Sequence, residues 1–216
     1  MKKMDIIYED KYIIAINKPS KLLTISTDKE KVKTLYHEVS EYVKKKHKSN
    51  KIFIVHRLDY DTSGVTLFAK DKMVKEKLQN NWDKLAVKRK YIALVNGKIK
   101  PDKLTLKNKL VETKTNMVYV DDKSKYGKSA ITCYKLIKHI GDNSLIDIEI
   151  KTGRKNQIRA QLSNYGFPIV GDKKYGGKKS FYNRLMLHAD KLELIHPVTN
   201  EKIELIARLP KEFPLK

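Results

Sequence analysis

Two short apolar runs constrain the fold more than any other feature of this 216-residue chain. They are residues 52–55 (Ile-Phe-Ile-Val) and 65–69 (Val-Thr-Leu-Phe-Ala), and nine mostly polar residues separate them. Both runs predict strands, because β-branched and aromatic side chains fill a pleated surface well. A loop held between two strands is fixed at both ends, and catalytic or binding residues often lie on such loops.

Other runs at hairpin spacing predict a sheet around this pair. The remaining predicted strands are a hairpin over 5–17 that ends at Lys18-Pro19, a strand at 91–95, a hairpin over 132–140 and 145–150, and strands near 185–195 and 202–208. Residues 100–128 are rich in Lys and weakly patterned, which predicts loops. Many strands with few helices favour an α+β fold with a mixed, mainly antiparallel central sheet flanked by helices and loops.

Three helices are predicted, over residues 34–47, 71–81 and 155–165. Thr34 and Asp71 are suitable N-caps for the first two, and Gly166 with Pro168 stops the third. The length predicts a single domain over 1–216, or one domain with two lobes.

The charge balance favours a polyanionic partner. The net charge is +22, and nucleic acid is the commonest partner of such a field. The candidate contact segments are the Lys-rich stretch 100–128 and the loop 173–179. A Lys-rich proteome would give the same composition, since only six of the 47 basic residues are Arg. Where Lys is the default, an Arg suggests that the planar guanidinium fork is needed.

Cysteine and apolar content exclude several classes of protein. The single cysteine, Cys133, excludes an intramolecular disulfide and a cysteine-based zinc site. No signal peptide and no apolar run of roughly 18 residues is present. We therefore expect a soluble, cytoplasmic and monomeric protein.

The nine-residue loop runs from His56 to Gly64 and contains Arg57, Asp59 and Asp61 together with two hydroxyl side chains. One interpretation is a connection whose Asp, Thr and Ser side chains only bond the backbone of a turn. The other interpretation is a reactive site. The loop has too many charged residues to belong to the hydrophobic core.

Four further stretches have a composition too specific for ordinary connecting segments. They are residues 17–20 (Asn-Lys-Pro-Ser), 88–91 (Lys-Arg-Lys-Tyr), 152–176 and 184–197. In the third stretch Ile158, Leu162 and Tyr165 form an apolar helical stripe, with Arg159 at its edge. From periodicity alone Arg159 is either paired with a carboxylate or a surface residue whose stem runs past the core.

Together these stretches closely resemble the RluA-type family of RNA pseudouridine synthases, over residues 5 to 208. The most specific match is His56-Arg57-Leu58-Asp59 followed by Thr62-Ser63-Gly64. Lys18-Pro19, Tyr91 and residues 153–171 stand where the family has its other motifs. Two positions depart from the family pattern: Asn156 replaces the usual His, and Lys21 replaces a common Gly. We also expect no N-terminal S4-like RNA-binding domain, which many members of the family carry.

The resemblance implies isomerisation of uridine to pseudouridine in rRNA or tRNA, with base flipping and without cofactor or metal. It implies that Asp59 is the catalytic carboxylate, Arg159 its ionic partner, and Tyr91 the ring that stacks on the target base. Arg57 would take the place of the flipped nucleotide. The remaining residues expected to contact RNA are His56, Lys18, Arg154 and Asn156.

The chemistry suits these residue types. The C1′–N1 bond breaks and a C1′–C5 bond forms, so no second carboxylate is needed to activate water. An ionised Asp can act as nucleophile or base, an Arg beside a carboxylate favours its charged form, and an aromatic ring offers a face to an unstacked base.

Two other functions fit parts of the sequence. A metal-dependent nuclease would use Asp59, Asp61 and Asp172 as ligands, although Arg57 would compete for that site. A non-catalytic RNA-binding module would use the basic surface alone, with Asp59 as a turn residue.

Overall fold

The computed structural model describes residues 4–27, 30–178 and 183–214. Its elements in chain order are β1 (Ile6–Glu9), β2 (Ile13–Lys18), α1 (Leu35–Lys46), β3 (Phe53–Ile54), β4 (Ser63–Ala69), α2 (Lys72–Asn80), α3 (Trp82–Leu85), β5 (Ala86–Asn96), β6 (Lys103–Glu112), β7 (Val118–Val120), β8 (Lys128–Ile140), β9 (Asn143–Ile150), α4 (Gln157–Asn164), β10 (Leu187–Ile195) and β11 (Lys202–Ile206). The strands pair antiparallel in β1–β2, β2–β4, β3–β4, β10–β11, β5–β9, β8–β9, β6–β8 and β6–β7, which confirms the predicted α+β class.

The chain divides into two compact units. Unit 1 comprises Met1–Val87 and Ala189–Leu209, and unit 2 comprises Lys88–His188 and Pro210–Lys216. The chain leaves unit 1 within β5 and returns to it within β10.

Unit 1 is a sheet with apolar residues on both faces. Its strands follow the order β1-β2-β4-β10, with β11 on β10 and β3 on β4. Alternate residues of β2 point to opposite faces, so Ile13 and Ala15 join one core cluster while Ile14 and Ile16 join another. Helix α2 packs on the first cluster and α1 on the second. A strand buried on both faces is a continuous apolar run, which is what the sequence shows at 13–16.

The caps predicted for these helices are confirmed. The Thr34 hydroxyl accepts the N–H of His37 at 3.1 Å. The Asp71 carboxylate accepts the N–H groups of Met73 and Val74 at 2.8 and 3.1 Å. The short helix α3, directly after α2, was not predicted.

Unit 2 is an antiparallel sheet in the order β5-β9-β8-β6-β7, with α4 on one face. Leu110, Val118 and Ala130 of the sheet pack with Ala160 of the helix and Tyr175. The two hairpin strands predicted at 132–140 and 145–150 are confirmed as β8 and β9.

The loop prediction for 100–128 was wrong, because β6 and β7 lie within it. Leu104, Leu106 and Leu110 alternate along β6 with exposed Lys103 and Lys107. The strand therefore has the period of two expected of a half-buried sheet, and its many Lys residues obscured that pattern.

Helix α4 is shorter than predicted and differs in its surroundings. Every residue from 157 to 162 is buried, including two glutamines. The Gln161 side chain accepts the Thr132 hydroxyl at 2.7 Å and donates to the Ala130 carbonyl at 3.2 Å. Polar side chains bonded in this way can lie inside a protein, so this helix has no exposed stripe along those residues.

Within the described residues, no helix is long and apolar enough to cross a membrane.

Candidate active site

The loop from His56 to Gly64 leaves β3 and enters β4 in unit 1. Arg57 and Tyr60 are exposed, Leu58 is buried, and Asp59 is partly exposed. The Asp59 carbonyl accepts the N–H of Thr62 at 3.2 Å, which closes a tight turn. The partly exposed Asp59 thus begins this turn, directly after the buried Leu58 and before the exposed Tyr60.

Lys18 binds this loop from the protein interior. Its side chain is completely buried, and its ammonium group donates to the carbonyls of Pro19, Leu22 and Tyr60 at 3.0, 2.7 and 3.2 Å. An ammonium has three hydrogens, so these carbonyls match its donors. The bond to Tyr60 fixes the residue directly after Asp59. This placement gives no support to the predicted RNA contact of Lys18, which stays a prediction.

The segment that follows Lys18 clamps the loop on both sides of Asp59. The buried Thr24 hydroxyl donates to the Leu58 carbonyl at 2.8 Å and accepts the Leu58 N–H at 3.3 Å. The Ser20 hydroxyl donates to the Asp61 carbonyl at 2.6 Å. The backbone around Asp59 is therefore held in place by side-chain bonds, as a preorganised reactive group requires.

His56 is a structural part of the loop entrance. Its Nε2 accepts the N–H of Leu67 at 3.1 Å, and its ring stacks on Trp82 with 4.9 Å between centroids. An accepting Nε2 leaves Nδ1 as the protonated nitrogen of the neutral ring. The predicted RNA contact of His56 stays a prediction.

Gly64 allows the loop to enter β4 close to β10. Its φ of +119° is rare for any other residue, and a Cβ there would lie 2.1 Å from the Ala189 carbonyl oxygen. The glycine of the motif therefore permits a close approach of two backbones.

Arg159 lies in unit 2 on α4 and is paired with Asp172. Only 6% of Arg159 and 1% of Asp172 is exposed. Arg159 Nε donates to Asp172 Oδ2 at 2.7 Å, and Nη2 donates to Oδ1 at 2.8 Å. The guanidinium is therefore a buried fork on a carboxylate, which excludes the interpretation of Arg159 as a surface residue.

Asp172 is held by the backbone as well. Its Oδ1 accepts the N–H groups of Lys174 and Tyr175, each at 3.1 Å. A buried carboxylate with several charge-assisted bonds is fixed in position, and it fixes Arg159 in turn.

Two more side chains complete the surroundings of Arg159. Asn156, in a left-handed backbone conformation, accepts from Arg159 Nη1 at 3.2 Å through Oδ1. The Tyr175 ring lies 5.2 Å from Arg159 Cζ. Burial raises the pKa of the Tyr175 hydroxyl, so this ring stays neutral beside the ion pair. Asn156 thus contacts the guanidinium from the position where the family usually has His.

The other predicted site residues of unit 2 lie on its sheet and on the loop before α4. Tyr91 is a partly buried residue of β5 opposite Ile148. Arg154 is exposed, and its Nε donates to the Ser129 carbonyl at 3.1 Å.

The structure thus gathers the predicted residues into two groups. Unit 1 brings Lys18, His56 and Arg57 to the Asp59 loop, and unit 2 brings Asn156 to Arg159. The predicted pairing of Asp59 with Arg159 joins residues of different units and stays a prediction, as do the roles of Tyr91 and Arg57.

Sequence reasoning missed Asp172 and Tyr175 as the neighbours of Arg159, and Thr24 as a clamp of the loop. The sequence suggests a role for Asp172 only as a metal ligand of a nuclease. Its position after Gly171, in a turn rather than a periodic element, gave no signal of its partner.

In the part of the chain that the structure describes, no group of three or more His, Cys, Asp or Glu side chains is placed to hold a metal ion. Independence from metal and cofactor stays a prediction from the resemblance.

Comparison with known proteins gives consistent findings. The family described as RNA pseudouridylate synthase matches residues 12–164. The chain is similar to an uncharacterized RNA pseudouridine synthase of Bacillus subtilis, with 32% identity over 98% of this chain and 70% of that protein. It is also similar to ribosomal large subunit pseudouridine synthase C of Rickettsia prowazekii, with 36% identity over 96% of this chain and 69% of that protein.

Among solved structures, the chain resembles human RNA pseudouridylate synthase domain containing 4. The TM-score is 0.79 at 24% identity, and the likeness covers 96% of this chain and 89% of that one. At this identity the likeness concerns the fold.

Proposed function

The chain belongs to the RluA-type family of RNA pseudouridine synthases, and we propose that Asp59 is the carboxylate with which it isomerises uridines of ribosomal RNA. The isomerisation of uridine to pseudouridine in RNA is the activity of the family. The residues that perform it and the RNA that carries the uridine are the parts we propose.

The observation that carries the assignment is the construction of the Asp59 loop. Asp59 is partly exposed, whereas the loop backbone beside it is bonded to the buried Lys18 and Thr24 side chains. A carboxylate that must meet a sugar or base needs both accessibility and a fixed position. The loop provides both, since Asp59 is partly exposed and the bonds from Lys18 and Thr24 fix the backbone on either side of it.

Asp59 acts at the sugar or the ring of the flipped nucleotide. The C1′–N1 bond breaks, the uracil turns, and C1′ joins C5. The hydrogen on C5 is then lost as a proton, and N1 gains a proton, so the product has the composition of the substrate. No water is consumed, and one carboxylate is enough for these transfers.

We assign supporting roles to three further residues. Arg159 stabilises the ionised form of Asp59, and Asp172 holds the Arg159 fork in orientation. Tyr91 provides the ring on which the target base stacks. Arg57, exposed two residues before Asp59, fills the space that the flipped nucleotide leaves.

Ribosomal RNA is the substrate class that the relatives favour. Several similar proteins, from Buchnera and Rickettsia species, are named ribosomal large subunit pseudouridine synthase C. We extend that substrate class to this chain and place transfer RNA second. A monomer that acts in the cytoplasm is the corresponding proposal for its state and location.

The proposal is tested by Asp59→Asn, which keeps the shape of the side chain and removes its charge. We expect pseudouridine formation to fall to background while RNA affinity stays within about twofold. The measurement is chemical mapping of pseudouridine in total RNA from cells with the parent chain, the variant or neither. Asp61→Asn, another partly exposed carboxylate of the same loop, is the matched control and should keep activity.

Each alternative has its own outcome in this experiment. Pseudouridine made by the Asp59→Asn variant would remove Asp59 from the site. RNA binding by the parent without any pseudouridine would favour the non-catalytic module, and RNA cleavage that requires an added divalent ion would favour the nuclease.

A further inference from the structure

The loop between β7 and β8 crosses β6. In the sheet of unit 2, β6 lies between β7 and β8 and pairs with both. Residues 121–127 connect two strands on opposite sides of a third, so they must pass over one of its faces. The loop is thus part of a sheet face instead of an extension beyond the sheet edge.

Gly127 shows which face the loop covers. A Cβ on Gly127 would lie 2.7 Å from Lys109 Cβ, so the loop passes directly over the Lys109 side chain. Along a strand, side chains alternate between faces, so Lys109 shares its face with Lys107 and Lys103. The opposite face carries Leu106 and Leu110, which are buried.

Hydrogen bonds fix the loop on β6. The Asp121 N–H donates to the Lys109 carbonyl at 2.9 Å, and the Lys109 N–H donates to Asp122 Oδ1 at 2.7 Å. Asn108 donates to the other Asp122 oxygen at 3.1 Å, and Lys109 Nζ donates to the Ser124 carbonyl at 3.1 Å. The loop is therefore preorganised, and its acidic side chains accept bonds from the protein.

Two tyrosines are exposed on or beside this face. Tyr126 is 91% exposed, although the loop that carries it is bonded on both sides. Tyr119, on β7, is 44% exposed and lies opposite Val111 on the face shared with Lys109. Exposed rings on a fixed backbone offer flat surfaces at little cost in conformational entropy.

Lysines surround these rings. Lys107, Lys123 and Lys125 are exposed, and the described residues include no ion pair for any of them. Aromatic rings among unpaired cations are the combination with which proteins bind unpaired nucleotides, because each base has a face to stack and each phosphate a charge to neutralise.

This face is distinct from the face that carries Tyr91. The strand registers align Tyr91 with Ile148, Tyr134 and Leu104, so Tyr91 lies on the opposite face of the same sheet. The Lys and Tyr residues of the loop are therefore outside the machinery assigned to catalysis.

We propose that this face binds an unpaired stretch of RNA. We name it the Lys–Tyr platform and define it as Lys107, Tyr119, Lys123, Lys125 and Tyr126. Bases stack on the two rings, and the lysines neutralise neighbouring phosphates. The proposal rests on the proposed function in taking RNA as the partner, and it adds a second contact that selects substrates with single-stranded segments.

The test compares Tyr126→Ala with Tyr126→Phe, which removes only the hydroxyl. The probes are a ten-nucleotide oligouridylate and a blunt-ended RNA duplex without unpaired nucleotides, each measured by fluorescence anisotropy. Loss of one stacked base should weaken oligouridylate binding of the Ala variant about tenfold. The Phe variant should bind like the parent, and duplex affinity should be the same for all three proteins.

Met73→Ala is the control for removal of an exposed apolar side chain, since Met73 is 78% exposed on α2. It should bind oligouridylate like the parent. Parent-like binding by Tyr126→Ala would overturn the proposal, and so would equal losses on oligouridylate and duplex. A weakened Phe variant would overturn stacking as the mode of binding.

The lysines are tested by Lys123→Gln combined with Lys125→Gln. The slope of log affinity against log salt should decrease in magnitude by about 1.4, since each phosphate contact to a single strand contributes about 0.7. The matched control, Lys72→Gln with Lys77→Gln on α2, removes equal charge and should leave the slope unchanged. An unchanged slope in the platform variant would overturn the phosphate contacts.

All these readouts are binding constants. A chain that formed no pseudouridine but showed the expected pattern would refute the proposed function and support the platform. Pseudouridine formation by a chain whose platform variants all bound like the parent would support the proposed function and refute the platform.

Discussion

Single residues of this protein show where a specific donor geometry is required. In a chain that uses Lys for most cations, Arg159 places a planar fork on Asp172 with two bonds of 2.7 and 2.8 Å. A lysine could keep the charge but make only one directed contact at that position. The choice of Arg is therefore explained by geometry and not by charge.

We expect Arg159→Lys to lower single-turnover pseudouridine formation about a hundredfold, because a misplacement of about 1 Å has an effect of that size on rate. We expect RNA affinity to depend on many lysines and therefore to stay within about twofold. Arg208→Lys, an exposed position in unit 1, is the control and should react like the parent. A parent-like rate for Arg159→Lys would show that the fork is not needed for catalysis.

Lys18 is the second residue at which donor geometry decides. Lys18→Met removes the ammonium but fits the same volume, so three carbonyl oxygens lose a buried donor. We expect a loss of about 2–4 kcal/mol in the free energy of unfolding of unit 1, measured by urea denaturation. The exposed neighbour change Lys21→Met should cost less than about 0.5 kcal/mol. Equal stability of the two variants would contradict the structural role of Lys18.

At the scale of elements, the start of β4 depends on close packing of its backbone against β10. The loop that carries Asp59 enters β4 through Gly64, which faces the Ala189 carbonyl without a side chain between them. The position of the Asp59 loop is thus tied to the approach of β10.

We expect Gly64→Ala to cost more than about 3 kcal/mol in unfolding free energy, because its Cβ would lie 2.1 Å from a backbone oxygen that cannot move alone. Gly166→Ala separates this clash from backbone strain. Gly166 also has a positive φ, of +90°, but a Cβ there would meet no atom within 4 Å. That variant should lose about 1 kcal/mol. Similar losses at both positions would assign the effect to strain alone.

At the scale of the whole molecule, the feature expected to matter most for association with RNA is the net charge of +22. The predicted contact segments, 100–128 and 173–179, belong to unit 2, although Lys179 lies outside the described residues. Charge spread over many lysines acts mainly through phosphates and therefore through counterion release.

We expect the affinity for structured ribosomal RNA to fall about a thousandfold or more between 50 and 200 mM salt, as for proteins with six or more phosphate contacts. The measurement uses the Asp59→Asn variant, so that turnover does not alter the substrate. A nearly flat dependence would mean that recognition does not depend on the basic surface.

The sequence by itself determined the fold class, most elements and the likeness to the family. Alternating and helical periodicities depend on short-range geometry, so they located the hairpin of β8 and β9 and the capped helices α1 and α2. The loop residues His56 to Gly64 are contiguous, so their resemblance to a family was readable without any tertiary contact. The same reasoning failed for β6, where lysines on the exposed face concealed the alternation.

Only the tertiary structure decided which distant groups meet. Asp172 as the partner of Arg159, the Tyr60 carbonyl above Lys18, and the approach of Ala189 to Gly64 join positions with no shared local pattern. Burial partners are set by how elements pack, and packing depends on many weak contacts at long sequence separation. Local sequence could therefore single out Asp59 as a candidate, whereas the groups that hold its loop and its proposed partner in place could be found only from the packed chain.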